Sequence, residues 1–260
     1  MRRRITAFLI LLAMIVTLVP GSVFAYTPES GETVWIDATL PGSDVHYYIY
    51  QKPEIIDGQP TNTYRIVLEP EENGSNFNIP DYNNVTETPW GLLYQQIQYV
   101  VIEEGITGIG NNAFSNMVLL SDATIASTVT SIGESAFAND TRLSKEVLDL
   151  TNVTNLGESA FYNCDSIQSV ILSDNLERIP NNLFNNSGIR SFKIPSNLKS
   201  VGDGAFAYCP LSNMTSMTFP DGFTSIGANA FTRENGTPNT TLQSITLPST
   251  VTTIGENAFY

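Results

Sequence analysis

A chain of 260 residues with 26 acidic and 12 basic side chains carries a net charge of −14, and 42% of its residues are hydrophobic. That size and apolar content are enough for a substantial core, while the acidic balance argues against nucleic acid and anionic membrane as partners. Two cysteines and a single histidine leave little material for a disulfide-built scaffold, a zinc site or a histidine-dependent triad.

Residues 1 to 25 read as a secretory signal peptide. Arg2, Arg3 and Arg4 precede the apolar run "ITAFLILLAMIVTLV", and Val23-Phe24-Ala25 offers small residues at the positions a signal peptidase requires, with cleavage expected after Ala25. Removing the three arginines takes the net charge to −17. No later segment is apolar enough to span a bilayer, so no membrane span is expected in the mature chain. The leader predicts a secreted, extracellular or cell-surface protein.

Residues 26 to 98 are expected to form a β-rich N-terminal capping region. Alternating stretches occur at Val34-Leu40, Val45-Tyr50 and Tyr64-Leu68, separated by turn pairs such as Pro41-Gly42 and Asp57-Gly58. Two or three antiparallel strands follow from that pattern, with Tyr82, Trp90, Leu93 and Tyr94 covering the first repeat. A small carbohydrate-binding module, with Trp35 and the tyrosines as stacking platforms, is the rival interpretation.

From residue 99 to residue 260 the chain repeats itself seven times, the last copy incomplete. Phe114, Phe137, Phe161, Phe184, Phe206, Phe231 and Phe259 recur at intervals of 23, 24, 23, 22, 25 and 28 residues. Five residues before each lies Ile109, Ile132, Leu156, Ile179, Val201, Ile226 or Ile254, and eight before lies Ile106, Val129, Val153, Leu176, Leu198, Phe223 or Val251. Upstream of these, pairs such as Val100/Ile102, Val170/Leu172 and Met217/Phe219 alternate with one outward residue, which predicts a short strand. Units of this length bury their apolar residues only against the copies above and below, so the sequence predicts a repeat solenoid: parallel strands on one face, turns or short 3₁₀ or helical turns on the other. Glycine follows the inward aliphatic at 110, 133, 157, 202, 227 and 255, but Pro180 in the fourth copy shows that a positive φ is not compulsory there. The third copy shifts its inward pair to Leu148/Leu150, and the polar segment "TRENGTPNTT" is expected to be a tolerated turn insertion. The chain stops inside a copy at Phe259-Tyr260, which predicts a longer parent protein or a truncated frame.

Candidates for chemistry are sparse. His46 sits in a predicted strand without a second metal ligand nearby in sequence, and Glu103, Glu104, Asp174 and Glu177 look like ordinary surface charge rather than a glycosidase pair. No calcium loop is present, and neither cofactor nor metal is expected. Cys164 and Cys209 occupy equivalent places two copies apart, roughly 10 Å at the usual strand spacing, so both are expected to be unpaired core residues. Asn73, Asn84, Asn139, Asn152, Asn213, Asn235 and Asn239 begin Asn-x-Ser/Thr triplets that are acceptors only in a host that glycosylates secreted proteins.

The segments "SITLPSTVTTIGENAF", "VVIEEGITGIGNNAFSNM" and "SFKIPSNLKSVGDGAFAYC" resemble the leucine-rich repeats of the BspA type, found in surface proteins of host-associated bacteria and some protists. The lead-in "IPDYNN…PW…IQYVVIEEGITGIG" is similar too, so the resemblance covers residues 80 to 260. It implies a right-handed leucine-rich repeat arc outside the cytoplasm and, for some members, adhesion to host matrix proteins or other cells. Pro180, Leu183 and the displaced third strand depart from the pattern.

The outward side chains between the inward pairs are the binding candidates: Val101, Thr124, Asp149, Ile171, Lys193, Thr218 and Thr246. A rigid ladder of this kind costs little entropy to present. A non-enzymatic recognition or adhesion protein is therefore expected, its partner a protein or glycan at a host or microbial surface. The alternatives are a structural spacer within a larger surface protein and the carbohydrate-binding module named above.

Overall fold

Period-two alternation sends every second side chain inward, and a unit this thin can cover those side chains only with its neighbours. The computed structural model describes residues 28–56, 59–233 and 241–260. The expected signal peptide, the Asp57-Gly58 turn, Asn235, Asn239 and most of the "TRENGTPNTT" insertion lie outside the described residues. The described chain opens with β1 (Thr33–Thr39), β2 (Val45–Ile56) and β3 (Gln59–Pro70). These run antiparallel, Asp37 opposite Tyr48 and Tyr48 opposite Val67. Then come β4 (Asn78–Ile79) and a 3₁₀ turn, Val85–Glu87, whose start is capped by Asn84 Oδ1 accepting from the Thr86 N–H.

Each repeat next supplies one strand from its alternating pair and one two-residue strand from its Ile-Gly region. In order they are β5 (Ile97–Ile102) and β6 (Gly108–Ile109), β7 (Asp122–Ile125) and β8 (Ser131–Ile132), β9 (Leu148–Leu150) and β10 (Asn155–Leu156). They continue with β11 (Ser169–Leu172) and β12 (Arg178–Ile179), β13 (Ser191–Phe192) and β14 (Ser200–Val201), β15 (Ser216–Thr218) and β16 (Ser225–Ile226), β17 (Ser244–Thr246) and β18 (Thr253–Ile254). The first strands form one ladder, divided into β1-β2-β3-β5-β7, β9-β11-β13 and β15-β17; the second form another, divided into β4-β6-β8-β10 and β12-β14-β16-β18.

Sequence irregularities accompany the divisions. The strand starts late after Phe137 and Phe206: Leu148 and Met217 each lie 11 residues on, against eight or nine for Ala123, Val170 and Phe192 after their own phenylalanines. The first ladder opens at those two junctions, although Ile245 lies 14 residues after Phe231 and its strand still pairs with β15. The second ladder opens at Pro180. In the copies around it a glycine N–H donates to the inward aliphatic carbonyl one rung back, as from Gly157 to Ile132 at 2.7 Å and from Gly202 to Ile179 at 2.8 Å. Proline has no such hydrogen, and β10 and β12 do not pair. Those glycines are not in the left-handed region. They are needed because the rungs nearly touch: a Cβ on Gly110 would sit 2.1 Å from the Pro80 carbonyl oxygen, and one on Gly157 would sit 2.2 Å from the Glu134 nitrogen.

Positive φ falls instead on the residues two before and two after the phenylalanine, for example Asn112 (55°) and Asn116 (60°), Ser135 (54°) and Asn139 (66°). These segments are turns rather than helices. Their alternating N–H groups donate to the next rung, Phe114 to Ala136 at 2.8 Å and Phe137 to Ala160 at 2.9 Å, so the phenylalanine segments make a third hydrogen-bonded ladder. Asparagine tolerates the left-handed region, and four of these asparagines also pair by side chain. Asn139, Asn163 and Asn186 each donate Nδ2–H to the Oδ1 of the preceding member, at 3.0, 3.0 and 2.6 Å.

The phenylalanines stack in one column with centroid separations of 5.3, 5.4, 5.6, 5.5, 5.6 and 5.3 Å. Trp90 extends it, 5.2 Å from Phe114 and 8° from parallel, and its Nε1–H donates to the Ala113 carbonyl at 2.9 Å. Residues 59 to 94 thus build a rung that lacks the repeat's sequence. Val67 registers with Val101, Ile79 with Ile109, and Trp90 takes the phenylalanine's place. Leu93 is buried, while Tyr82 and Tyr94 are partly buried against the same core. Trp90→Phe keeps a ring in the column but strips the Ala113 carbonyl of its donor. The expected cost is about 1–3 kcal/mol, seen as a lower urea midpoint at unchanged slope.

Candidate functional site

The outward positions of the first ladder gather on one face. Val101 stands opposite Thr124, Asp149 opposite Ile171, and Thr218 opposite Thr246. Lys193 follows Phe192, which registers with Val170, and so lies beside Ile171. The seven positions therefore form three groups rather than one unbroken row, separated where the first ladder opens. Thr124, Asp149, Ile171, Lys193, Thr218 and Thr246 are exposed, while Val101 is half-buried. Lys193 is not a free cation: its Nζ donates to both carboxylate oxygens of Asp174, at 3.1 and 2.8 Å. That bond and the Ser196 N–H hold the exposed Asp174 carboxyl below the usual carboxylate range.

The row runs further than the repeats. In register it passes through Val67, opposite Val101, to Tyr48 and then to Asp37, but Val67 is fully buried and Tyr48 half-buried, so of these three only Asp37 is exposed. One register over, Arg65 stands opposite Tyr99 with its guanidinium carbon 5.4 Å from the ring centre. Arg65 is also paired with Glu29 and Glu32 at 2.7 and 3.2 Å. Tyr48 donates to Glu69 Oε1 at 3.0 Å, and burial followed by the Glu69 charge pushes its phenol well above the ordinary range. The hairpin thus continues the presenting sheet and gives it an aromatic end, where Tyr99 is 39% exposed. The repeat pattern stops at residue 99, so these positions were missed; the alternation of Tyr64-Leu68, like that of Val100/Ile102, was the available signal.

The opposite flank, built by the two-residue strands, carries an open groove of about 550 Å³ lined by Asp81, Asn111, Glu134, Glu158 and the repeat glycines. A second, of about 440 Å³, lies over Arg178, Asn181, Asp203 and Ser225. Their polar side chains are occupied in stacking. Asp81 Oδ1 accepts from the Asn111 N–H at 2.7 Å, Asn111 Oδ1 from Glu134 at 2.6 Å, Asn181 Oδ1 from Asp203 at 3.0 Å and Asp203 Oδ1 from Ala228 at 2.7 Å. The groove follows from rung packing, and the strand face is the better candidate surface.

His46, in β2, lies beside carboxylates that sequence separation concealed. Its Nε2 is 2.6 Å from Asp37 Oδ1 and its Nδ1 is 3.3 Å from Thr39 Oγ1. The Thr39 hydroxyl donates to Glu71, so its proton is committed to a carboxylate rather than to the imidazole. Cys164 and Cys209 are both free and buried, and burial raises both thiols. Among the described residues no group of three or more histidine, cysteine, aspartate or glutamate side chains converges on a metal-sized site, and no helix is long and apolar enough to cross a membrane.

Comparison with known proteins gives a consistent result. A family model described as "BspA type Leucine rich repeat region" matches residues 91–212 and 210–260 in six copies. Among solved structures, a leucine-rich repeat protein from Eubacterium ventriosum is 24% identical, with a TM-score of 0.55 over 86% of this chain and 63% of that one. A leucine rich cell surface protein from Faecalibacterium prausnitzii is 21% identical, with a TM-score of 0.52 over 81% of this chain and 54% of that one. The chain thus spans less than two thirds of either. No curated protein matches the sequence.

Proposed function

This chain belongs to the BspA-type leucine-rich repeat family, and from that membership we propose that it is a non-enzymatic recognition protein, secreted or held at the cell surface, that binds a protein or glycan through its exposed strand face. The observation that carries the proposal is the exposure of Thr124, Asp149, Ile171, Lys193, Thr218 and Thr246 on the first ladder, whose register continues through half-buried Val101 and buried Val67 to Tyr48 and Asp37 of the hairpin. A surface fixed by three ladders is ordered before the partner arrives, so binding does not have to order it. The charged leader and apolar run at residues 2 to 19, and the cell-surface description of the Faecalibacterium protein, support the location.

The test is an array of extracellular matrix proteins, mucins and microbial glycans probed with the protein and with a Thr124→Arg, Ile171→Arg, Thr218→Arg triple variant. Saturable binding is expected, weakened at least about tenfold in the variant, a loss of about 1.4 kcal/mol. The urea midpoint should stay put, because exposed substitutions usually shift stability by no more than about 0.5 kcal/mol each. Binding that survives the three arginines removes the strand face from consideration, and a blank array from folded protein favours the spacer.

A further inference from the structure

Three residues after each of the first five repeat phenylalanines the chain returns to one buried spot, occupied in successive rungs by Met117, Asp140, Cys164, Ser187 and Cys209. Three of these make the same bond to the rung before. Cys164 Sγ–H donates to the Phe137 carbonyl at 3.1 Å, Ser187 Oγ–H to the Phe161 carbonyl at 2.7 Å and Cys209 Sγ–H to the Phe184 carbonyl at 3.0 Å. From Cys164 to Cys209 the position supplies a hydrogen donor. Asp140 is fully buried there, and its Oδ1 accepts the Met117 N–H at 2.7 Å, as Ser187 Oγ accepts the Cys164 N–H at 3.3 Å. Its Oδ2 has no partner, and the corresponding carbonyl, that of Phe114, accepts no hydrogen bond among the described residues. An ionised carboxylate is acceptor only and leaves Oδ2 and the Phe114 carbonyl oxygen unsatisfied, whereas a carboxylic acid repeats the bond its neighbours make.

We propose that Asp140 is a neutral carboxylic acid in the folded solenoid, its Oδ2–H donated to the Phe114 carbonyl, and that this proton makes the stack firmer in mild acid than at neutral pH. No basic side chain pairs with Asp140 among the described residues. The side facing the preceding rung meets Met117, which is uncharged; the side facing the next rung meets the Cys164 thiol and, past it, Asp165. Burial acts in the same direction, raising the carboxyl well above its usual range against the single opposing effect of the Met117 N–H. The thiol of Cys164, raised by burial, stays protonated and keeps its own bond to Phe137.

The sign follows from linkage. An aspartate in the unfolded chain ionises near about pH 3.9, so above that value folding must hold a proton that the unfolded chain releases. The folding constant then falls tenfold per pH unit until the folded-state pKa is reached. Asp140→Asn supplies an N–H donor and a carbonyl acceptor in the same places without titrating. The folding constant of the Asn variant divided by that of the native chain should rise about tenfold per pH unit between about pH 4.5 and 6.5, measured by urea unfolding at each pH. A ratio independent of pH overturns the proposal. Infrared spectroscopy of the folded native protein at pH 7 supplies a second readout that does not require the variant to fold. A protonated-carboxyl stretch that persists at neutral pH and vanishes in unfolding urea supports the assignment, and its absence overturns it.

Discussion

Phe161→Ala should be the most damaging single change in the repeats, costing about 3–5 kcal/mol and lowering the urea midpoint accordingly. The ring is fully buried and stacks on Phe137 at 5.4 Å and on Phe184 at 5.6 Å. A conventional core phenylalanine touches neighbours that can collapse into the space it leaves. Here the two flanking rings are held at rung spacing by backbone bonds, Phe161 N–H to Leu183 and Phe137 N–H to Ala160, at 3.0 and 2.9 Å. The space cannot close, so the cavity contribution adds in full. Phe161→Leu should recover part of the loss by refilling the volume without restoring the stack. Equal midpoints for the alanine and leucine variants would show that the column is not what joins the rungs.

The second large effect is expected at Gly157. Its added Cβ would meet the Glu134 nitrogen at 2.2 Å and the Gly133 carbonyl carbon at 2.3 Å, both backbone atoms of the preceding rung. No side-chain rotation relieves that contact, so Gly157→Ala has to part β8 from β10 and should cost about 1–3 kcal/mol, typical of an overpacked core. Amide hydrogen exchange provides the local check. Gly157 N–H, bonded to the Ile132 carbonyl at 2.7 Å, should lose protection, while the Phe161 N–H on the far side of the same rung keeps it. Loss at both sites would mean that the rung opens as one piece.

The repeating core was legible because each rung restates the same physical demand. An inward aliphatic five and another eight residues before the phenylalanine recur whatever else changes, and in the six rungs from Phe114 to Phe231 both are buried. The last rung differs, with Ile254 half exposed, since no further repeat covers it among the described residues. Glycine was legible as a requirement but not in its cause. A backbone contact between residues 23 or 24 apart leaves no local trace, whereas a left-handed turn does. Residues 59 to 94 were the least readable, because Trp90 fills the phenylalanine's place and a long excursion separates β3 from β4. One strand could be seen there, but not its parallel partner. The candidate surface divides in the same way: outwardness of the seven repeat positions follows from alternation, whereas its continuation to Tyr48 and Asp37 depends on a hairpin register that no period announces.

The three openings in the ladders never coincide. The first ladder is interrupted between β7 and β9 and again between β13 and β15, the second between β10 and β12, and each falls at a different junction of rungs. At every junction two of the three seams are therefore closed, and the phenylalanine seam runs through all of them. Masons lay courses with the vertical joints offset for the same reason. A crack that starts at one joint meets whole brick in the next course, so irregular copies can accumulate in such a wall without giving it a plane along which to part.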